Sequence, residues 1–143
     1  MSPIAVAEAF ERAPLLAERI GEGDPDTVIH RARDLIAGLT EAQRIAVLDA
    51  HPRIGASHGL SDRSAAEQRA TEETDAATLE HLEQLNTEYE RRFGFRFVVF
   101  VAGRSRAEIV PVLRTRLKRT RGEELATGLE EFLAIARDRL TTV

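Results

Sequence analysis

Phe95-Arg96-Phe97-Val98-Val99-Phe100-Val101 is the stretch that decides the fold class of this chain. Its continuous apolar run, Phe97 to Val101, has the composition of a β-strand. A strand presents backbone N–H and C=O groups that must find partners. Nothing else in the sequence reads convincingly as a second strand. Residues 95–101 are therefore expected to form a short buried segment, extended or irregular, with polar backbone groups to spare. The rest of the chain is then expected to be all-α.

Helical patterns lie on both sides of the run. Upstream, Leu79, Leu82, Leu85, Tyr89 and Phe93 recur at helical spacing after Asp75, and Gly94 is a natural C-terminal residue. Downstream, Ser105-Arg106-Ala107-Glu108 is a capping box opening a helix through Leu113 and Leu117. Pro111 lies inside that helix and is expected to bend it. A last helix begins near Gly122, with Leu125, Leu129, Phe132, Leu133, Ala136 and Leu140 as its apolar stripe.

The first half follows the same rules. Ser2-Pro3 opens a short helix to about Arg12, and Pro14 restarts one that Gly21 and Gly23 end. Asp24-Pro25 is a cap followed by proline, with Val28, Ala32, Leu35, Ile36 and Leu39 on one face behind it. Thr40-Glu41-Ala42-Gln43 is a second capping box, and its helix runs through Ile45 and Leu48 to His51. Ser64-Ala65-Ala66-Glu67 opens another helix after an aperiodic loop. The expectation is one domain over residues 1–143, a bundle of about eight helices with one irregular or extended apolar segment.

Composition narrows the function. The chain has 143 residues, 43% of them hydrophobic, enough for a single core. No apolar run is long enough to span a membrane, and no secretory signal is visible at the start. The expected location is the cytoplasm. There is no cysteine, so disulfides, thiolate metal sites and a cysteine nucleophile are excluded. The histidines have no metal-ligand spacing, and no metal is expected.

Charge is unevenly placed. Residues 61–90 hold nine acidic and two basic side chains, net −7, and residues 91–121 hold ten basic and one acidic, net +9. The basic block is compatible with a nucleic-acid face, an anion pocket, or a helix lying on an acidic neighbour. The absence of Trp, the single Tyr and the overall charge of −4 count against nucleic acid.

Four places could carry chemistry. His51-Pro52 sits at a helix end, because Pro52 disfavours the α conformation at His51. A histidine there is held in place and can hand a proton to a ligand, since the residue type titrates near neutrality. A helix-end side chain is also expected to contribute little to the core, and the alternative reading is an ordinary turn histidine. Ser64 and Glu67 are explained by capping alone, but Gln68 is not needed for a cap. The 97–101 run is either plain core or a binding strip. Arg139 follows Ala136 by three residues and Phe132 by seven, at the edge of the buried stripe. A partly buried arginine needs an anion or several acceptors, unless its head reaches water.

Taken together, these motifs resemble the 2-oxo-4-hydroxy-4-carboxy-5-ureidoimidazoline (OHCU) decarboxylase family of urate degradation. The resemblance runs nearly end to end. It includes Phe10-Glu11-Arg12-Ala13-Pro14, Ala50-His51-Pro52-Arg53-Ile54-Gly55, Ser64-Ala65-Ala66-Glu67-Gln68, Leu85-Asn86-Thr87-Glu88-Tyr89, Arg92-Phe93-Gly94-Phe95-Arg96-Phe97-Val98 and Arg137-Asp138-Arg139-Leu140. It implies an all-helical fold, a homodimer and no cofactor. It implies decarboxylation of OHCU, a small anionic heterocycle, to (S)-allantoin. His51 maps onto the catalytic acid, and Glu67 is expected as the second catalytic residue, holding His51 or the substrate hydroxyl. Pro52, Ser64, Gln68, Phe97, Val98, Val99, Phe100, Val101 and Arg139 map onto substrate-binding positions. The chain departs from the family pattern in a shorter loop between His51 and Ser64, in Arg96 where Pro is frequent, and in Ala70-Thr71 where Ala-Gly is usual. The short loop bears on pocket closure or substrate preference. The rival readings are a non-catalytic helical module binding through residues 91–121, and an enzyme of the same fold with a changed substrate.

Overall fold

The computed structural model describes residues 9–10, 16–54 and 76–141. Six helices lie within them: α1 (Ala17–Ile20), α2 (Pro25–Ala37), α3 (Glu41–Asp49), α4 (Ala76–Phe93), α5 (Arg106–Arg116) and α6 (Arg121–Thr141). No strand occurs among the described residues, and 96–101 carry no regular structure. The all-α expectation therefore holds there, but the count of about eight helices is not reached. α1 is only four residues long. Most of the helix expected over 2–12, and the one expected from Ser64, fall outside the described residues.

Local chemistry sets the boundaries. Asp24 accepts the Thr27 amide at 2.9 Å and Pro25 follows it, which starts α2. Thr40 and Gln43 form a reciprocal capping box at α3, as do Ser105 and Glu108 at α5. Thr120 and Glu123 form a third at α6, with amide contacts of 3.0 and 3.2 Å, which the sequence reading did not single out. α5 continues through Pro111 to Arg116. Gly94 closes α4 with φ 82°, a left-handed conformation natural to glycine.

α6 packs against α2 and α3, and α4 packs against α5. The approach of α3 to α6 is close. A Cβ on Gly128 would come within 3.2 Å of Leu48 Cδ1, so a glycine in mid-helix is explained by its neighbour. Residues 93–99 complete the core, with Phe93, Phe95, Phe97, Val98 and Val99 all buried. Phe93, Phe95 and Phe97 each pack on the Tyr89 ring, at centroid distances of 4.6, 6.0 and 5.3 Å. None of the described helices is long and apolar enough to cross a membrane.

Candidate active site

α3 ends where it meets α6, and that contact places His51. The His51 amide donates to the Leu48 carbonyl at 3.0 Å, one residue beyond the last full turn, and Pro52 prevents continuation. Leu48 lies on Gly128 of α6. The His51 ring, three residues on, lies edge-on to Phe132, with centroids 5.5 Å apart and planes at 75°. His51 is only 7% exposed. The expectation that it contributes little to the core is corrected, because the helix stops facing α6 rather than solvent. Pro52 is half-buried beside it and Ile54 is buried.

Phe132 is a shared wall. Its other neighbour is the Phe10 ring at 5.9 Å. Arg139 lies two turns further along α6, about 10 Å along the axis, and donates from Nη1 to the Ala9 carbonyl at 3.4 Å. Arg139 is 5% exposed, so it does not simply reach into water from the edge of the stripe.

The 97–101 segment answers the question of its backbone partners in part. Arg116 Nη1 donates to the Val98 carbonyl at 2.6 Å. Arg104 donates to the Phe100 carbonyl at 2.6 Å and to the Val101 carbonyl at 2.9 Å. The Phe100 amide donates to Glu131 at 3.4 Å. The amides of Val98 and Val99 and the carbonyl of Val99 make no hydrogen bond among the described residues. Both valines are buried, and such groups ordinarily have partners. The segment ends in a tight turn, Arg104 amide to Val101 carbonyl at 3.0 Å, with Ala102 and Gly103 at φ 53° and 77°.

Behind the segment lies a buried polar knot. Glu124 is 0% exposed and accepts from Tyr89 Oη at 2.7 Å, Arg116 Nε at 2.7 Å and Arg119 Nη1 at 2.9 Å. The Arg116 guanidinium also lies 4.5 Å from the Phe97 ring centroid. Burial, and then the hydrogen bond to Glu124, pushes the Tyr89 phenol far above its ordinary pKa. Sequence reading missed Glu124 and Arg116. Their eight-residue separation spans two helices and a turn, and no local pattern marks them.

The loop after His51 is fastened to α4. Asn86 Nδ2 donates to the Ile54 carbonyl at 3.3 Å, and Arg53 pairs with Glu90. On the other side, Arg96 Nη1 donates to the His51 carbonyl at 2.8 Å and to the Asp49 carbonyl at 3.1 Å. Contacts with α6 thus link His51, through Phe132, and the 97–101 segment, through Glu131, and Arg139 lies on the same helix. Ser64, Glu67 and Gln68 lie outside the described residues. Among the described residues, no group of three or more His, Cys, Asp or Glu could hold a metal ion.

The OHCU decarboxylase family model matches residues 4–141. The chain is 30% identical over 142 residues to the 2-oxo-4-hydroxy-4-carboxy-5-ureidoimidazoline decarboxylase of Haloferax volcanii, covering 95% of this chain and 84% of that one. It is 27% identical to the uric acid degradation bifunctional protein of a Bacillus species, covering 94% of this chain but only 28% of that protein. The fold matches a crystal structure of OHCU decarboxylase in the presence of (S)-allantoin, with TM-score 0.79 at 24% identity over 95% of this chain and 94% of that one. By its match along nearly the whole length, the chain belongs to the OHCU decarboxylase family.

Proposed function

We propose that this protein decarboxylates OHCU to (S)-allantoin in urate degradation, without a cofactor. The observation that carries this reading is the enclosed His51, held at a helix end against Phe132 and tied through Arg96 to a buried segment whose Val98 and Val99 amides make no hydrogen bond among the described residues. A proton donor beside fixed N–H groups suits a reaction that develops negative charge and then takes up a proton.

The substrate carries a carboxylate and a hydroxyl on one ring carbon and a ureido group on the next. The bond to the carboxylate breaks and CO2 leaves. The electron pair moves toward the adjacent ring C=N, which serves as the electron sink. The former imine nitrogen takes up a proton from solvent, the hydroxyl loses its own proton to become a carbonyl, and the ureido-bearing carbon gains one, for a net uptake of one proton. His51 delivers that proton to one face, which sets the handedness of the product. Arg139 pairs with an anionic part of the substrate, and the amides of 98–99 bind ring or ureido groups. Pro52, Phe97, Phe100 and Val101 line the site. Roles for Glu67, holding His51 or the substrate hydroxyl, and for Ser64 and Gln68, holding substrate, rest on the resemblance alone.

The same reading takes residues 1–143 as one working domain of a cytoplasmic homodimer. The rival reading, a nucleic-acid face on residues 91–121, is disfavoured by how that block is used. Arg96, Arg104, Arg116, Arg119 and Arg121 all donate to carbonyls or carboxylates of this chain. The test is to generate OHCU in situ from urate and follow allantoin by circular dichroism. Rapid formation of one enantiomer supports the reading. Racemic product at the rate of the enzyme-free control overturns it.

A further inference from the structure

We infer that Arg96 is a positioning residue for His51, resting on the reading of His51 as the proton donor. The site needs two things fixed relative to one another: the turn that follows α3, which carries His51, and the start of the 97–101 segment, which carries the Val98 and Val99 amides. They are 46 residues apart in sequence, from His51 to Phe97. Arg96 joins them directly, through both its backbone and its side chain.

The Arg96 amide donates to Asp49 Oδ1 at 3.1 Å. In return its Nη1 donates to the carbonyl of Asp49 at 3.1 Å and to that of His51 at 2.8 Å. Carbonyls at a helix C-terminus lack intrahelical donors and carry partial negative charge, so a guanidinium is a matched partner. Arg96 Nε lies 4.0 Å from Glu90 of α4, and the same carboxylate pairs with Arg53, two residues past His51. The His51 backbone is therefore bracketed on both sides from the last turn of α4. The Arg96 side chain is 39% exposed, yet its head is committed to three groups of the site's scaffold. Proline, with neither amide hydrogen nor guanidinium, could make none of these contacts.

A bracket that only stabilised the fold would change melting and leave chemistry alone. A positioning bracket changes turnover, because small displacements of a proton donor cost rate without weakening substrate binding in proportion. The experiment compares R96A, R96K, H51N and H51N/R96A, reading kcat, KM and the optical purity of allantoin from OHCU generated in situ. Arg96→Ala is expected to lower kcat about tenfold with KM within about threefold, and to reduce optical purity. Arg96→Lys is expected to recover part of kcat, since one ammonium reaches fewer acceptors than a planar fork. In the H51N background, Arg96→Ala is expected to add little, as positioning acts through the missing ring. If R96A melts below the assay temperature, R96K carries the test through the same kcat and purity readouts. An inactive H51N beside R96A and R96K variants with wild-type kcat and optical purity overturns the Arg96 inference alone. A fully active H51N overturns the reading of His51 beneath it.

Discussion

Glu124→Gln removes a negative charge from a fully buried site. Its two oxygens accept three hydrogen bonds, from Tyr89, Arg116 and Arg119. A glutamine amide has one oxygen and one NH2 group, so at least one of these contacts becomes donor against donor. The Arg116 side chain is only 7% exposed and loses its counter-charge. Breaking a buried pair by removing one partner costs about 3–5 kcal/mol. The Val98 carbonyl and the Phe97 face still solvate Arg116, which places the cost near the lower end, about 3 kcal/mol. At roughly 2–4 °C per kcal/mol for a chain of this size, Tm should fall by about 6–12 °C. Thermal unfolding followed by circular dichroism reads this, with urea unfolding checking that the slope is unchanged. The apolar double variant E124L/R116M should recover only part of the loss, because no buried ion pair is broken but the Tyr89 hydroxyl and the Val98 carbonyl lose their partners. A Glu124→Gln protein melting within about 2 °C of wild type would refute the reasoning.

Tyr89 gives a prediction at alkaline pH. Its folded pKa is raised far above the ordinary 10.0, first by burial and then by the bond to Glu124. The unfolded chain therefore loses the proton first. The stabilisation is complete below about pH 10 and declines above it, by up to about 1.4 kcal/mol per pH unit, and Tyr89→Phe should remove that decline in urea unfolding. Tyr89 is the single tyrosine, so phenolate absorbance of the folded protein reads it alone. Ala102 holds φ 53°, a left-handed conformation that costs a residue with a Cβ. Ala102→Gly should raise the urea midpoint, stabilising by about 0.5 kcal/mol net of the added freedom of the unfolded chain. Arg139→Leu should lower kcat/KM by about 1.5–3 kcal/mol if the guanidinium holds the anionic substrate, with Lys restoring only part. A leucine variant with wild-type kcat/KM would remove Arg139 from the site.

Much of the fold was legible because helix starts are local. Asp24-Pro25, Thr40 with Gln43, and Ser105 with Glu108 cap the helices their spacing announces. The lone apolar run was legible as a segment outside any sheet, since a strand without a partner cannot satisfy its backbone. His51 was legible as a helix end from Pro52. Its burial was not, because that depends on Phe132, 81 residues away in the chain. The same limit hid Arg96. An arginine before an apolar run looks like a solvated flank until the fold brings it to the carbonyls of Asp49 and His51. Glu124 sits in an acidic first turn that carries no local mark of burial, and its burial follows from Tyr89 and Arg116 closing over it from α4 and α5.

The central claim is that His51 gives the proton that fixes the product's handedness. The direct measurement is the rate and optical purity of allantoin formed by the His51→Asn variant, with its fold checked by far-ultraviolet circular dichroism. Asparagine leaves a gap beside Phe132 and is expected to lower stability somewhat, which the fold check reads separately from turnover. The account predicts that kcat falls by about 10²–10⁴, the usual worth of a positioned acid or base, and that the remaining product approaches a racemate. A folded His51→Asn protein that still makes optically pure (S)-allantoin near the wild-type rate would contradict it.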